Sequence, residues 1–106
     1  MEYVAVYITA KDAKEAKKIS DALLGEGLVA CASIIPKIEL AYKWEGKIAR
    51  HTEALVIAKT RKALANKIIK VVKENHSYKV PCVNFLPIVH GNPDYFKWIN
   101  KETRKK

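Results

Sequence analysis

The stretch LVACASIIPKIELAYKWEGKIARHTEALVIAKT, residues 28–60, decides the fold because it joins two long runs of strand-forming sequence through a tight turn. The apolar run 28–35 is interrupted by Pro36, after which extended sequence resumes as KIELAYKW. Residues 45–47, Glu-Gly-Lys, place a glycine at the turn, and extended sequence returns over 48–59. The stretch therefore predicts a long β-hairpin whose first strand is bent or bulged at Pro36.

The sequence before the hairpin predicts one strand and one helix. Residues 3–9, YVAVYIT, are β-branched and aromatic, as is typical of a strand. Asp12 followed three residues later by Glu15 resembles a capping box, the signal for a helix start. We expect this helix to end at Gly25 and Gly27.

The sequence after the hairpin predicts a helix, a strand and a further helix. Thr60 is predicted to cap a helix that ends at Asn75 and His76. Residues 79–89 predict a last strand, and the two prolines within it favour the edge of a sheet. Asn92, which is followed by proline, opens a terminal helix with Tyr95, Trp98 and Ile99 on its apolar side.

This order of elements is the split βαβ pattern of an α+β, ferredoxin-like βαββαβ sandwich with a long central hairpin and an added C-terminal helix. A chain of 106 residues has the size of one domain, so we expect a single domain over 1–106. Alternate residues of the first strand are apolar on both faces, whereas two helices cover only one. The uncovered face and the exposed edges favour self-assembly.

The composition narrows the classes of function. The formal charge of +9 arises from 20 basic and 11 acidic residues, and most of the excess is lysine on predicted helix faces without interleaved aromatics. We therefore do not expect nucleic-acid binding. We find neither a signal-peptide pattern nor an apolar membrane span, and we expect a cytoplasmic protein without a membrane partner. The lysine- and glutamate-rich surface also favours a thermostable protein.

Several motifs together resemble the CutA family of divalent-cation tolerance proteins. They are LVACASIIP (28–36), YKWEGKI (42–48), EALVIAKT (53–60) and HSYKVPCV (76–83), followed by YFKWI (95–99). The resemblance implies a homotrimer with the architecture of the PII signalling proteins. It also implies binding of copper (Cu²⁺ or Cu⁺) or other divalent metal ions, and a role in the response to metal ions.

The stretch HSYKVPC, residues 76–82, contains the candidate metal ligands. His76 suits copper or zinc, and Cys31 or Cys82 suits Cu⁺ as a thiolate. In this topology the two cysteines lie at opposite sheet edges, about 14 Å apart, so a shared site would form between subunits. Serine and lysine stand at 77 and 79, where the family has proline and an acid, which removes one potential ligand. The alternatives are buried, inert cysteines and a histidine facing the last carbonyls of its helix.

A second candidate site is a ligand cleft that the family resemblance marks and that the hairpin and a helix end would gather. Its residues are Tyr42, Trp44, Glu53, Lys59, His76 and Tyr78. The alternative interpretation is cross-strand packing of the aromatics and simple ion pairs. His51 and His90 are each expected to be solvent-exposed and not to act as ligands.

Two functions therefore compete. One is a homotrimeric metal-binding protein, and the other is a PII-like scaffold or signalling protein that binds a small ligand or partner at the cleft between subunits. We expect no enzyme, because the sequence does not assemble a base and an orienting partner around Cys82 or His76.

Overall fold

The computed structural model describes residues 1–105 as a four-stranded antiparallel sheet with three helices. The elements are β1 (Tyr3–Ala10), α1 (Ala13–Gly25), β2 (Cys31–Trp44), β3 (Lys47–Arg61), a 3₁₀ turn (Lys62–Leu64), α2 (Ala65–Asn75), β4 (Val83–Pro87) and α3 (Pro93–Glu102). The strand order β2-β3-β1-β4 confirms the ferredoxin-like α+β fold with a long hairpin and a C-terminal helix. None of the helices within these residues is long and apolar enough to span a membrane.

The β2–β3 hairpin has the turn and the irregularity that the sequence predicts. Glu45 and Gly46 both have positive φ, 50° and 76°, as a two-residue hairpin turn requires. The register shifts between Ile35 and Ile38, around Pro36, which confirms the predicted bulge.

Strand β3 is nearly twice as long as its neighbour β1. The β1–β3 ladder ends at the pair Ala10 and Ala54, so residues 47–53 of β3 pair only with β2. The hairpin thus projects beyond the end of β1. This projection leaves room beside β3 for the chain that follows α2.

The hydrophobic core lies between the sheet and the helices α1 and α2. Val6 and Ile8 of β1 are fully buried, as are Ile19 of α1 and Ile68 of α2. These residues follow the predicted strand and helix periodicities, so one face of the sheet supplies the core.

The opposite face of the sheet is only partly covered. Phe96 of α3 stacks on Tyr3 at 4.7 Å between ring centroids. Large apolar side chains remain exposed on the edge strands, the hairpin tip and the loops around β4: Ile34, Ile35, Trp44, Ile48, Val80, Leu86 and Val89. Exposure of this kind is typical of a surface that other chains cover.

Three predicted boundaries are wrong. Thr60 does not cap α2, because it lies within β3 and its buried hydroxyl donates to the Leu28 carbonyl. The last strand covers only Val83–Pro87, and β2 begins at Cys31. In β2 and β4, apolar sequence continues beyond the residues that find a strand partner, and tertiary pairing sets the boundary.

Gly27 adopts a backbone conformation that only glycine takes without strain. Its φ is +67°, and a Cβ there would lie 3.4 Å from the Arg104 Cβ. Gly27→Ala is therefore expected to lower the free energy of unfolding by about 1–2 kcal/mol, measured by urea denaturation. Gly25→Ala is the matched control, because its Cβ meets no atom within 4 Å. An equal loss in both variants would contradict the role of the left-handed conformation.

Candidate functional site

The residues predicted near His76 meet where the chain after α2 crosses the end of β1. His76 is the residue at which α2 ends, and Tyr78 follows two positions later. This segment packs between the end of β1, the start of α1 and the projecting part of β3. It therefore brings its own side chains together with those of Glu15 in α1 and Glu53 in β3, beside the Thr9 carbonyl of β1.

His76 is held by hydrogen bonds at both ring nitrogens. Its side chain is fully buried, its Nε2 lies 2.7 Å from the Thr9 carbonyl, and its Nδ1 accepts the Tyr78 backbone N–H at 3.0 Å. A carbonyl can only accept, so Nε2 carries the proton and Nδ1 the lone pair. The imidazole thus binds the last residues of β1, whereas the alternative interpretation placed it against the carbonyls of its own helix.

Glu15 ties the start of α1 to the same segment. Its buried carboxylate accepts hydrogen bonds from the backbone N–H groups of Lys11 at 3.0 Å and of Ser77 at 2.9 Å. The backbone N–H of Glu15 donates to the Asp12 side chain. Burial opposes ionisation, but these hydrogen bonds and the nearby His76 ring outweigh it, so the pKa of Glu15 is lowered. The predicted capping box is therefore present in modified form, with Glu15 reaching Lys11.

Glu53 is the centre of a chain of hydrogen-bonded side chains. Its carboxylate oxygen Oε2 accepts the Tyr78 hydroxyl at 2.6 Å and faces His51 Nε2 at 3.0 Å. The other nitrogen of His51 lies 3.3 Å from the Tyr42 hydroxyl. Burial and the bond to Glu53 raise the pKa of Tyr78 well above its ordinary value, so its hydroxyl stays a donor.

The Glu53 carboxylate lacks a full set of partners. Its side chain is 2% exposed, and its oxygen Oε1 is buried without a hydrogen-bond partner. Across residues 1–105, no lysine or arginine lies within salt-bridge distance of it. A buried carboxylate in this state favours a bound positive charge.

Two residues of the predicted cleft lie outside this network within one subunit. Trp44 pairs with Lys47 at the hairpin tip, and Lys59 pairs with Cys31 near the other end of β3. Lys47, the partner of Trp44, and Lys59 are each six strand positions from Glu53 along β3, or roughly 20 Å. One subunit therefore gathers Tyr42, Glu53, Tyr78 and His76, but not Trp44 or Lys59.

The two cysteines are reduced, partly buried and far apart. Cys31 is the first residue of edge strand β2, and Cys82 directly precedes edge strand β4. Cys31 Sγ lies 3.3 Å from the Tyr95 hydroxyl, and this contact, followed by burial, raises the pKa of Tyr95 to about 12. No group of three or more potential metal ligands forms within the described part of the subunit.

His51 is the member of the network that sequence reasoning missed. It lies within β3, two residues from Glu53 and diagonal to Tyr42 across the hairpin, so the three side chains share one face. The two-residue period of a strand is the signal that could have found this contact. Both His51 and His90 are exposed, as expected, but His51 also contacts the Glu53 carboxylate.

The comparisons with known proteins agree on one family. Its model, described as "CutA1 divalent ion tolerance protein", matches residues 4–102. "Divalent-cation tolerance protein CutA" of Citrobacter koseri is 35% identical over 97% of this chain and 90% of that protein. "Protein CutA 1, chloroplastic" of Oryza sativa subsp. japonica is 40% identical over 96% of this chain.

The structural comparison covers the whole chain. The crystal structure of CutA1 from Oryza sativa matches with a TM-score of 0.96 and 39% sequence identity, over 100% of this chain and 97% of that one. This chain spans only 58% of the length of the rice protein named above.

Proposed function

Because this chain belongs to the CutA1 divalent ion tolerance protein family, we propose that it acts as a homotrimer that binds copper or other divalent metal ions and takes part in the response to metal ions. The observation that carries the proposal is the placement of two reduced cysteines at the two different edges of one sheet. The role of the protein is that of a binding protein, without a catalytic reaction of its own.

The two edges support a closed assembly. Strands β2 and β4 are different edges, so pairing them between copies is a head-to-tail contact, which closes into a ring when the rotation permits. Exposed Ile34 and Ile35 on one edge and Leu86 on the other supply apolar area for that contact. Such a ring would bring Cys31 of one subunit toward Cys82 of the next.

Two thiolates suit Cu⁺, which prefers soft sulfur ligands. His76 is a less favourable ligand, because binding a metal would cost it the hydrogen bond to the Thr9 carbonyl or the one from Tyr78. In this proposal the cysteines bind copper and His76 holds the segment that leads to Cys82.

Copper titration of the reduced, metal-free protein tests the proposal. Wild type is expected to bind Cu⁺ saturably in competition with a chromophoric chelator, at a mass of three chains by light scattering. Cys31→Ser and Cys82→Ser are each expected to weaken binding about tenfold or more, because each removes one of two thiolate ligands. Unchanged Cu⁺ affinity in both variants would refute copper binding by the cysteines. A mass of one chain would refute the homotrimer.

A second function is favoured by the Glu53 network. The buried Glu53 carboxylate has Tyr78 and His51 at one oxygen and no partner at the other, so it is a polar group that a small ligand would satisfy. This arrangement fits a PII-like trimeric scaffold whose cleft receives a ligand or a partner segment, with Trp44 and Lys59 contributed by a neighbouring subunit. Weak, unsaturable copper binding in the same titration would favour it.

A further inference from the structure

The Glu53 carboxylate needs a positive charge that the subunit does not supply through lysine or arginine. The chain has 20 such residues, yet within the described residues the only basic side chain in reach of Glu53 is His51. Burial of an ionised carboxylate without a cation is unfavourable. Within one subunit, the His51 imidazole, or an ion bound to it, is therefore the remaining source of neutralisation.

His51 has the orientation of a metal-binding histidine. Its Nε2 points at the Glu53 carboxylate, which can only accept, so this nitrogen carries the proton. The lone pair is then on Nδ1, which faces the Tyr42 hydroxyl, in a side chain that is 38% exposed. Histidines that bind metals commonly donate their other N–H to a carboxylate, which fixes the tautomer and makes the ring a better ligand.

Tyr42 provides a second atom beside that lone pair. Its hydroxyl lies 3.3 Å from His51 Nδ1, and the residue is 37% exposed, so an ion can reach both atoms from solvent. With bonds of about 2.0–2.2 Å, one ion would bind the nitrogen and the oxygen at roughly 105°, close to a tetrahedral angle.

We propose that His51 Nδ1 and the Tyr42 oxygen bind one borderline divalent cation, Cu²⁺ or Zn²⁺, with Glu53 as the buried carboxylate behind the imidazole. Imidazole nitrogen selects these ions over Mg²⁺ and Ca²⁺, which prefer oxygen ligands. Water or a neighbouring copy completes the coordination. The inference rests on the proposed metal-binding function and assigns it a second site, separate from the two thiols.

The site is tested by Cu²⁺ titration near neutral pH in the full chain carrying Cys31→Ser and Cys82→Ser, so that thiol ligation and thiol oxidation are absent. We expect saturable binding by calorimetry, with nitrogen hyperfine coupling in the electron paramagnetic resonance spectrum. His51→Gln is expected to weaken binding tenfold or more and to remove that coupling. His90→Gln is the matched control and is expected to change neither.

Two further variants separate the roles of the neighbouring groups. Tyr42→Phe removes the oxygen ligand and is expected to weaken binding while the nitrogen coupling remains. Glu53→Gln keeps the shape of the side chain but removes the charge, and is expected to weaken binding about 10–100-fold. Circular dichroism and light scattering confirm that each variant keeps the fold and mass of its parent.

The outcomes distinguish this inference from the function on which it rests. Wild-type Cu⁺ binding together with unchanged Cu²⁺ affinity in His51→Gln would overturn the His51 site alone. An equal loss in His90→Gln and His51→Gln would overturn it as well. If neither the wild type nor the double-serine protein binds copper, both proposals fail.

Discussion

His76→Ala is expected to lower the free energy of unfolding by about 3 kcal/mol, measured by urea denaturation at a fixed subunit concentration. The side chain is fully buried and joins two segments through its ring nitrogens. Its removal leaves a cavity, and the Thr9 carbonyl and the Tyr78 N–H lose their partner. Concentration must be fixed because the apparent stability of the proposed homotrimer would depend on it.

The matched control is His90→Ala, which removes an exposed histidine and is expected to change stability by less than about 0.5 kcal/mol. A His76→Ala protein as stable as wild type, but unable to bind copper, would contradict the structural role and return His76 to the ligands. Loss of both copper binding and stability would be expected whether His76 is a metal ligand or a structural residue. The unfolding measurement therefore has to accompany any titration of this variant.

The fold was largely predictable from the sequence because its main elements have local signals. Glu45 and Gly46 form the predicted turn, Pro36 lies at the predicted bulge, and Asn92 caps α3 through its side chain. The misplaced start of α2 has a physical reason. Thr60 is an acceptable cap in isolation, but its hydroxyl is used by the Leu28 carbonyl in the folded protein.

The candidate site was less predictable because it depends on how far the strands extend relative to one another. Glu53 meets Tyr78 only because β3 projects beyond the last β1 pair, at Ala10. The length of that ladder is a tertiary property. The pairing of His51 with Glu53 needed only the two-residue period of a strand and was predictable. The distance of Lys59 from Glu53 was predictable too, because the two lie six positions apart along one strand.

Glu15→Gln is expected to lower the free energy of unfolding by about 2 kcal/mol at neutral pH. The Glu15 carboxylate accepts two backbone N–H groups, from Lys11 and Ser77, and thereby joins α1 to the segment after α2. Glutamine has one carbonyl oxygen and an amide that can only donate. One of the two N–H groups is therefore left without an acceptor and both lose a charged one.

The same substitution should alter the dependence of stability on pH. Burial raises the pKa of Glu15, but the hydrogen bonds from Lys11 and Ser77 lower it by more than burial raises it. The pKa of Glu15 in the folded protein therefore lies below the ordinary 4.5. The stabilisation by the carboxylate is thus complete above the ordinary value and is lost as pH falls through the folded one. The difference between wild type and Glu15→Gln should therefore be largest at neutral pH and shrink on acidification below about 4.5.

Urea denaturation at several pH values from neutral to 3 measures this difference. Glu74→Gln is the matched control, because Glu74 is exposed on α2, and its difference from wild type should stay small throughout. A Glu15→Gln deficit that stays constant as the pH falls would mean that glutamine disturbs packing and that the charge contributes nothing. If the difference in the free energy of unfolding disappears on acidification, the ionised Glu15 carboxylate is the group that holds α1 against the segment carrying His76.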